Sequence, residues 1–275
     1  SAHETCLSVR FTYGTAFADT HNQLHHAEVE EHKLREHEEL RRFVDEIKCP
    51  KTGKKVDLKD HHEIDTIRHL DDGVYPPKPV VVPPFAIDRT SVTNAEYASF
   101  VSAKSWTTAA EKNGWSYVLD SLVHSSSSDH LVDPHDGHWT AVPGAYWRNP
   151  LGPGSNVSDI QDHPVVHVNH RDAAEYCRWR GKRLPGDREF EAAARGGRWE
   201  GHYRYEWGDE WVEGRANVWD GDFPSGWDGE AERGDPWKST SPVKWGGENG
   251  VGCYGMIGNV WEWCRGGRKK ERPLR

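Results

Sequence analysis

The sequence has no long apolar run and few cysteines, and each shortage excludes a class of protein. Its longest apolar stretch, residues 80–82, is far below the roughly 20 residues that a membrane-spanning helix needs, so a soluble protein without a membrane span is expected. No Cys-x-x-Cys pair occurs, which excludes a disulfide-dense scaffold and the usual zinc framework. Because five cysteines are an odd number, at least one thiol has no partner within the chain. The pairing stays open for Cys6, Cys49, Cys177, Cys253 and Cys264.

Methionine is also scarce, whereas large rings and turn residues are abundant. One Met stands against 14 Trp, and the chain holds 27 Gly and 16 Pro. In such a composition, rings that pack between loops replace long regular elements. The sequence therefore predicts a loop-rich body with little regular secondary structure, and its length suffices for one large domain or two small ones.

Charge is distributed unevenly along the chain. The net charge is −9 at pH 7, although residues 265–275 carry six basic groups and one acidic group. Because the rest of the chain is more acidic than the total suggests, a nucleic-acid surface is not expected. The basic tail, residues 265–275, is interpreted as a solvated end, with contact to an acidic partner as the alternative.

Residues 1–78 are predicted to form a charged N-terminal extension that ends in a proline-rich linker. Segment 28–46 is dense in Glu, Lys, Arg and His, and its apolar residues recur at helical spacing, which predicts one amphipathic helix. These apolar residues are Leu40, Phe43, Val44 and Ile47. Four nearby histidines suggest a metal site, but the interleaved charges favour a solvated face. They are His25, His26, His32 and His37.

From residue 85 onward the sequence predicts short elements around aromatic anchors. Residues 85–88 are predicted as a strand, and Thr93 with Glu96 forms a capping box that begins a helix. The inward face of that helix is predicted to comprise Tyr97, Phe100 and Val101. Three further segments are predicted as strands or extended chain: 113–120, 139–143 and the buried 163–168.

Residues 169–197 are predicted to form two short capped helices joined by a basic turn. Asn169 can cap the first helix, with Asp172 three residues later, and Gly181 offers a left-handed stop. Gly186 occupies the cap position of the second helix, with Glu189 three residues later. The apolar stripe of the second helix comprises Phe190, Ala193 and Ala194.

Five motifs in order over about residues 85–264 resemble the formylglycine-generating enzymes, also called sulfatase-modifying factors. They are HPVVHVNHRDAAEYCRWRGKRLPGDREFEAAARGG, YEWGD, ANVWDGDFP, SPVKW and YGMIGNVWEW. The resemblance implies an α+β domain with the formylglycine-generating-enzyme fold, which is related to C-type lectins and has little regular secondary structure. We place this domain at residues 79–264, between the extension and the basic tail.

The catalytic branch of that family oxidises a cysteine of newly made sulfatases to formylglycine. It uses molecular oxygen and a copper(I) ion held by two cysteines, the soft ligands that this ion prefers. In the family these cysteines lie well beyond the GNVWEW motif, whereas here the chain passes from Trp263 into Cys264 and the basic tail. The resemblance therefore implies that the catalytic portion is absent, so neither catalytic residues nor copper are expected.

Two cysteines near the end of the domain are candidates to replace the copper-binding pair of the family. A disulfide between Cys253 and Cys264, or two ordinary thiols, is favoured over a relocated copper site. Cys177 matches a family cysteine that normally pairs with one in the missing portion, so it is expected to be unpaired or differently paired. Trp115 stands where the catalytic branch has an Asp in its peptide-binding cleft and where the inactive vertebrate paralogue has Trp. A Trp cannot form the charge-assisted bond by which an acid recognises a basic substrate residue.

The resemblance also implies two calcium sites built from oxygen donors. The first set is Asn217, the Val218 carbonyl, Asp235 and the Trp237 carbonyl. The second set is Gly258, Asn259, Val260 and Glu262. Calcium is therefore the one cofactor expected. The same residues are also compatible with sites that hold no ion.

Asn156-Val157-Ser158 is an N-glycosylation triplet, which favours the secretory pathway or an organelle lumen. Ser1 in place of Met fits a removed targeting peptide or a shortened chain, and both interpretations stay open.

The leading hypothesis is a non-catalytic domain that acts as a binding or structural accessory component of a protein assembly, with a protein partner as one candidate source of the missing C-terminal part of the fold. The alternative is a truncated copper-dependent oxidase. A lectin-like glycan binder is the weaker alternative.

Overall fold

A computed structural model describes residues 81–124, 138–197, 205–219, 221–223, 226–227 and 235–265, together with the strand backbone at 4–5, 10–11 and 132–136. The chain divides into two compact units, residues 1–18 with 82–275 and residues 19–81. All but Val81 of the second unit lies outside the described residues, as do Cys6, Cys49 and residues 266–275. The predictions for the amphipathic helix, its histidines and most of the basic tail fall there. The predicted domain boundaries stay a prediction.

Within the described residues, four α-helices form where the sequence supplies caps. They are α1 (Asn94–Lys104), α2 (Ala109–Asn113), α3 (His170–Trp179) and α4 (Asp187–Ala194). Thr93 and Glu96 make the predicted reciprocal capping box of α1, and Asn169 and Asp172 make that of α3. Gly181 takes a φ of 72° after α3, so the predicted left-handed stop is confirmed.

The strands are short and belong to several small sheets. They are β1 (Glu4–Thr5), β2 (Arg10–Phe11), β3 (Ala86–Ile87), β4 (Trp115–Leu119), β5 (Val132–Asp136), β6 (Trp139–Pro143), β7 (Gly221–Asp222), β8 (Gly226–Trp227) and β9 (Trp261–Glu262). The antiparallel sheet β4-β6-β5 is the one sheet of three strands among the described residues. β1 pairs parallel with β3, while β2–β9 and β7–β8 pair antiparallel. The content is thus mixed, and the predicted strands at 113–120 and 139–143 are confirmed as β4 and β6.

The prediction of a strand over residues 163–168 is wrong in backbone conformation, although the segment is buried as expected. Its only bridge joins Pro164 to Thr93. Proline has no N–H to give to a ladder, and His167 adopts a φ of 57°, which breaks an extended run. The Val165 N–H instead donates to the Val92 carbonyl at 2.9 Å, so the segment is tied to the start of α1 by single hydrogen bonds.

The main core is a cluster of rings between α1 and α3. Tyr97 contacts Phe100 at 5.3 Å, Trp147 at 5.5 Å and Tyr176 at 5.9 Å between ring centroids. All four residues are at most 2% exposed. The inward positions predicted for α1 are therefore confirmed for Tyr97 and Phe100, and Val101 packs against the same cluster. In the described part of the chain, no helix is long and apolar enough to cross a membrane.

Candidate functional site

Two asparagines, Asn217 and Asn259, join the loops that carry the predicted oxygen donors. The Asn259 N–H donates to the Asn217 carbonyl at 2.7 Å, and Asn217 Nδ2 donates to Asn259 Oδ1 at 3.2 Å. Asn259 also binds Ser241 twice, because its Oδ1 accepts from the Ser241 N–H at 2.9 Å and its Nδ2 donates to the Ser241 carbonyl at 3.2 Å. The structure thus brings the two predicted ligand sets into one buried polar network.

Gly258 allows this close approach. Its φ is 75°, and a Cβ added there would lie 2.3 Å from the Asn217 carbonyl oxygen. Real Cβ atoms do not come that near an oxygen, so the loop can reach Asn217 only with a glycine at this position. Asn259 follows with a φ of 63°, a conformation that asparagine tolerates better than most residues.

Asp235 connects the remaining residues of the first predicted calcium-ligand set. Its Oδ2 accepts from the Val218 N–H at 2.9 Å and its Oδ1 from the Trp237 N–H at 3.0 Å. The carboxylate is 5% exposed, so it is a buried charge between two of the loops that it orders. His163 packs its ring edge-on against Trp237 at 5.2 Å, and burial lowers the pKa of His163.

Asn217 carries the observation that bears on an ion. Its side chain is 1% exposed, and its Oδ1 has no hydrogen-bond donor among the described residues. A buried amide oxygen without a donor is costly, and a hard cation would satisfy it. The described residues contain no group of three or more His, Cys, Asp or Glu side chains arranged for a metal. Any ion here would therefore depend on amide and backbone oxygens beside the Asp235 carboxylate.

The second predicted set is differently engaged. The Asn259 side chain is hydrogen-bonded to Asn217 and to Ser241. The Val260 N–H donates to the Gly258 carbonyl at 2.8 Å. Glu262 lies in β9 and is 1% exposed. These residues are close along the chain as predicted, but the Asn259 oxygen already accepts two hydrogen bonds, so ligation by this set stays a prediction.

The described thiols are buried. Cys177, Cys253 and Cys264 are exposed by 1%, 2% and 0%, and none of them is in a disulfide. Burial raises the pKa of the Cys253 thiol to about 11, and the carboxylates of Glu262 and Glu206 act in the same direction. Cys253 is therefore protonated and inert at neutral pH.

Trp115 begins β4 as a half-buried side chain. Its ring meets that of Tyr117 edge-on at 5.0 Å, on the face of the strand opposite the buried Ser116 and Val118. The position that the resemblance matches to the Asp of the peptide-binding cleft is thus one half of an aromatic pair.

Sequence reasoning missed two buried residues that hold this region together. The Asp172 carboxylate accepts from the Asn169 N–H at 3.0 Å, as its capping role predicts, but also from the Ala109 N–H at 3.1 Å and from Trp106 Nε1 at 3.0 Å. His167 bonds Ser116 Oγ at 2.8 Å and the Pro150 carbonyl at 2.7 Å. Both contacts span long sequence separations, so no local pattern indicates them.

One family model covers most of the chain, including these loops and the capped α3–α4 unit. The model of the Sulfatase-modifying factor enzyme 1-like domain matches residues 52–272. The chain belongs to this family. Its family resemblance, noted from five motifs, is thereby confirmed.

Some relatives within the family are named formylglycine-generating enzymes, and others are named inactive. The chain is 44% identical over 200 residues to a formylglycine-generating enzyme of Thermomonospora curvata, and 45% over 197 residues to that of Streptomyces coelicolor. It is 44% identical over 195 residues to the inactive C-alpha-formylglycine-generating enzyme 2 of Mus musculus. Each match covers 70% of this chain, and 61–63% of the relative. The chain thus spans less than two thirds of these proteins, and identity to both kinds is nearly equal.

Proposed function

We propose that this sulfatase-modifying-factor domain is a non-catalytic binding component, which holds a protein partner and does not itself oxidise a cysteine. The burial of its described thiols carries this proposal. A thiolate that binds copper(I) or attacks a substrate must be deprotonated and accessible. Cys177, Cys253 and Cys264 are at most 2% exposed, and the raised pKa of Cys253 opposes thiolate formation there.

Trp115 supports a binding role for the aromatic pair on β4. Trp and Tyr supply large, rigid contact area and are enriched at the energetic centres of protein interfaces. Trp115 and Tyr117 are both half-buried and fixed edge-on against each other, so little side-chain freedom is lost when a partner covers them.

Calcium is proposed as a structural ion at the first predicted set. Asn217 Oδ1, the Val218 carbonyl, the Asp235 carboxylate and the Trp237 carbonyl would hold it, and the buried Asn217 oxygen without a donor supports the fit. The ion would supply positive charge to a buried carboxylate and would stiffen loops that have few ladder hydrogen bonds. The C-type-lectin-related fold and a secretory location belong to the same proposal, with Asn156 as the sequence feature in their favour.

An aldehyde assay tests the catalytic part of the proposal. The 275-residue chain is incubated with copper(I), oxygen and a cysteine-containing sulfatase peptide, and the peptide aldehyde is measured by mass spectrometry. No aldehyde is expected, while the Thermomonospora curvata enzyme serves as the positive control. Sustained turnover would establish the alternative, a copper-dependent oxidase.

Thiol labelling tests the observation on which the proposal depends. In a variant with Cys6→Ser and Cys49→Ser, alkylation reports only the three buried thiols. We expect protection in the native protein and full reaction after unfolding. Rapid labelling of a native thiol would show an accessible cysteine and would remove the main support for the proposal.

A further inference from the structure

We propose that Asn156 is N-glycosylated, an inference that rests on the secretory location in the proposed function and not on its non-catalytic role. Asn156-Val157-Ser158 is the only Asn-x-Ser/Thr triplet in the 275 residues, and neither Val157 nor Asp159 is a proline. The sequence pattern alone occurs by chance, so the case depends on where the structure places this asparagine.

Asn156 lies at the exposed tip of a firmly held loop. At one end, the His124 N–H donates to the Leu151 carbonyl at 2.8 Å. At the other end, Asn94 Nδ2 donates to the Ile160 carbonyl at 2.7 Å, and the Ala95 N–H to the Gln161 carbonyl at 3.1 Å. Both ends are thus tied to the body of the domain, and Asn156 is exposed between them.

The tip has room for a glycan. Pro153, Gly154, Asn156, Ser158 and Asp159 are all exposed. A branched oligosaccharide joined at Asn156 would therefore extend from an exposed side chain with exposed neighbours. Most asparagines elsewhere in the fold fail this requirement, since Asn94, Asn217, Asn249 and Asn259 are buried.

The side-chain hydrogen bonds leave the reactive atom available. Asn156 Oδ1 accepts from the Ser158 N–H at 2.8 Å, which forms a local turn over the triplet. Asn156 Nδ2 makes no hydrogen bond to any described residue, and neither does Ser158 Oγ. The nitrogen that would carry the sugar and the hydroxyl that the acceptor pattern requires are thus both unengaged.

The reaction is a group transfer from a lipid-pyrophosphate-linked oligosaccharide. A bond forms between Asn156 Nδ2 and the anomeric carbon of the first sugar, while the bond from that carbon to the pyrophosphate oxygen breaks. The lipid pyrophosphate leaves, and the amide nitrogen gives up one proton. No electron transfer is involved, and an oligosaccharide-transferring enzyme of the secretory pathway supplies the catalyst.

Peptide mass spectrometry tests the site. The 275-residue chain is expressed behind a secretion signal in eukaryotic cells, and the peptide containing residue 156 is analysed from total membranes and medium, so that poor secretion does not hide the result. After peptide N-glycosidase treatment, which converts a glycosylated Asn to Asp, we expect Asp at position 156. Recovery of this peptide only with unmodified Asn would overturn the proposal.

Two variants of Ser158 make the matched controls. Ser158→Ala keeps Asn156 and the backbone N–H that donates to it, but removes the hydroxyl, so glycan occupancy should be lost with an unchanged melting temperature of the bacterially expressed protein. Ser158→Thr keeps the hydroxyl and should keep the glycan. A glycan that persists in Ser158→Ala, or disappears in Ser158→Thr, would contradict the assignment.

Discussion

Asn217 and Asn259, which lie 42 residues apart in the chain, hold each other through backbone and side chain at once. This pair fixes the two loops that carry the predicted oxygen donors. Gly258 makes it possible, since it is the residue whose missing side chain lets the loops meet. The contribution of the contact to the free energy of unfolding can be measured by placing a side chain at position 258.

Gly258→Ala should destabilise the domain more than Gly255→Ala does. Both glycines have positive φ, so each alanine incurs a left-handed strain of about 1 kcal/mol. A Cβ at 255 meets nothing within 4 Å, whereas one at 258 collides with the Asn217 carbonyl. The collision should add about 1–3 kcal/mol, measured by denaturant unfolding. Equal losses for the two variants would show that the Asn217–Asn259 contact is easily displaced.

Chelation of calcium should lower the melting temperature of the wild-type domain. At a calcium concentration of about 100 times Kd, the ion would contribute about 2.7 kcal/mol, and Asn217→Ala should abolish this calcium-dependent part. Calorimetric scans with calcium and with chelator measure both effects.

Asn94→Ala is the matched control for the calcium experiment. Asn94 is also a buried asparagine, its Nδ2 donates to a backbone carbonyl, and its Oδ1 has no donor in the described residues. The variant should lose stability but keep the full calcium response. No shift on thorough chelation of the wild type, or a full response in Asn217→Ala, would refute the ion site.

Asp172→Ala should cost about 2–4 kcal/mol, because it leaves three part-buried N–H groups without this acceptor. Glu175→Ala, in the next turn of α3, removes only an ion pair with the exposed Arg178 and should leave the stability nearly unchanged. Chemical unfolding of both variants provides the comparison. A loss below about 1 kcal/mol for Asp172→Ala would mean that water replaces the carboxylate at the α2 and α3 caps.

His167 should make the domain labile to acid. Burial lowers its pKa from 6.5 to about 4, so the unfolded chain takes up a proton before the folded one does as the pH falls. The contribution of His167 is complete above about pH 6.5, and about 3 kcal/mol of stability is lost by pH 4.

Asn is the substitution that isolates this titration. It tolerates the φ of 57° at position 167 and carries no ionisable group, so His167→Asn should be less stable at pH 7 but show a shallower loss between pH 6.5 and 4. The same change at the exposed His138 is the control substitution. If His167→Asn has the wild-type slope, another group is responsible for the acid lability.

Local signals in the sequence predicted the local parts of this fold. Thr93, Asn169 and Gly181 act through atoms within four residues, so their patterns identified the helix ends before any tertiary contact was known. The strand predicted over 163–168 was wrong because hydrophobicity reports burial and not φ, and His167 takes its left-handed conformation for hydrogen bonds to Ser116 and Pro150.

The candidate site shows the same division. The family resemblance named Asn217, Asp235 and Asn259, yet no sequence pattern indicated that the Asn217 and Asn259 side chains would hydrogen-bond to each other. These hydrogen bonds depend on how two loops approach each other in three dimensions. Neither the periodicity nor the spacing of residues in the sequence predicts that approach.

The ring cluster around Tyr97 also limits how this sequence can change over evolution. Tyr97, Phe100, Trp147 and Tyr176 meet at fixed tilts, from a stacked 29° to an edge-on 82°. Exchange of one ring for an aliphatic side chain would leave a gap and also remove the edge against which its neighbour is oriented. Accepted replacements should therefore come as compensating pairs across α1 and α3, while the solvent-facing loops accumulate single changes independently.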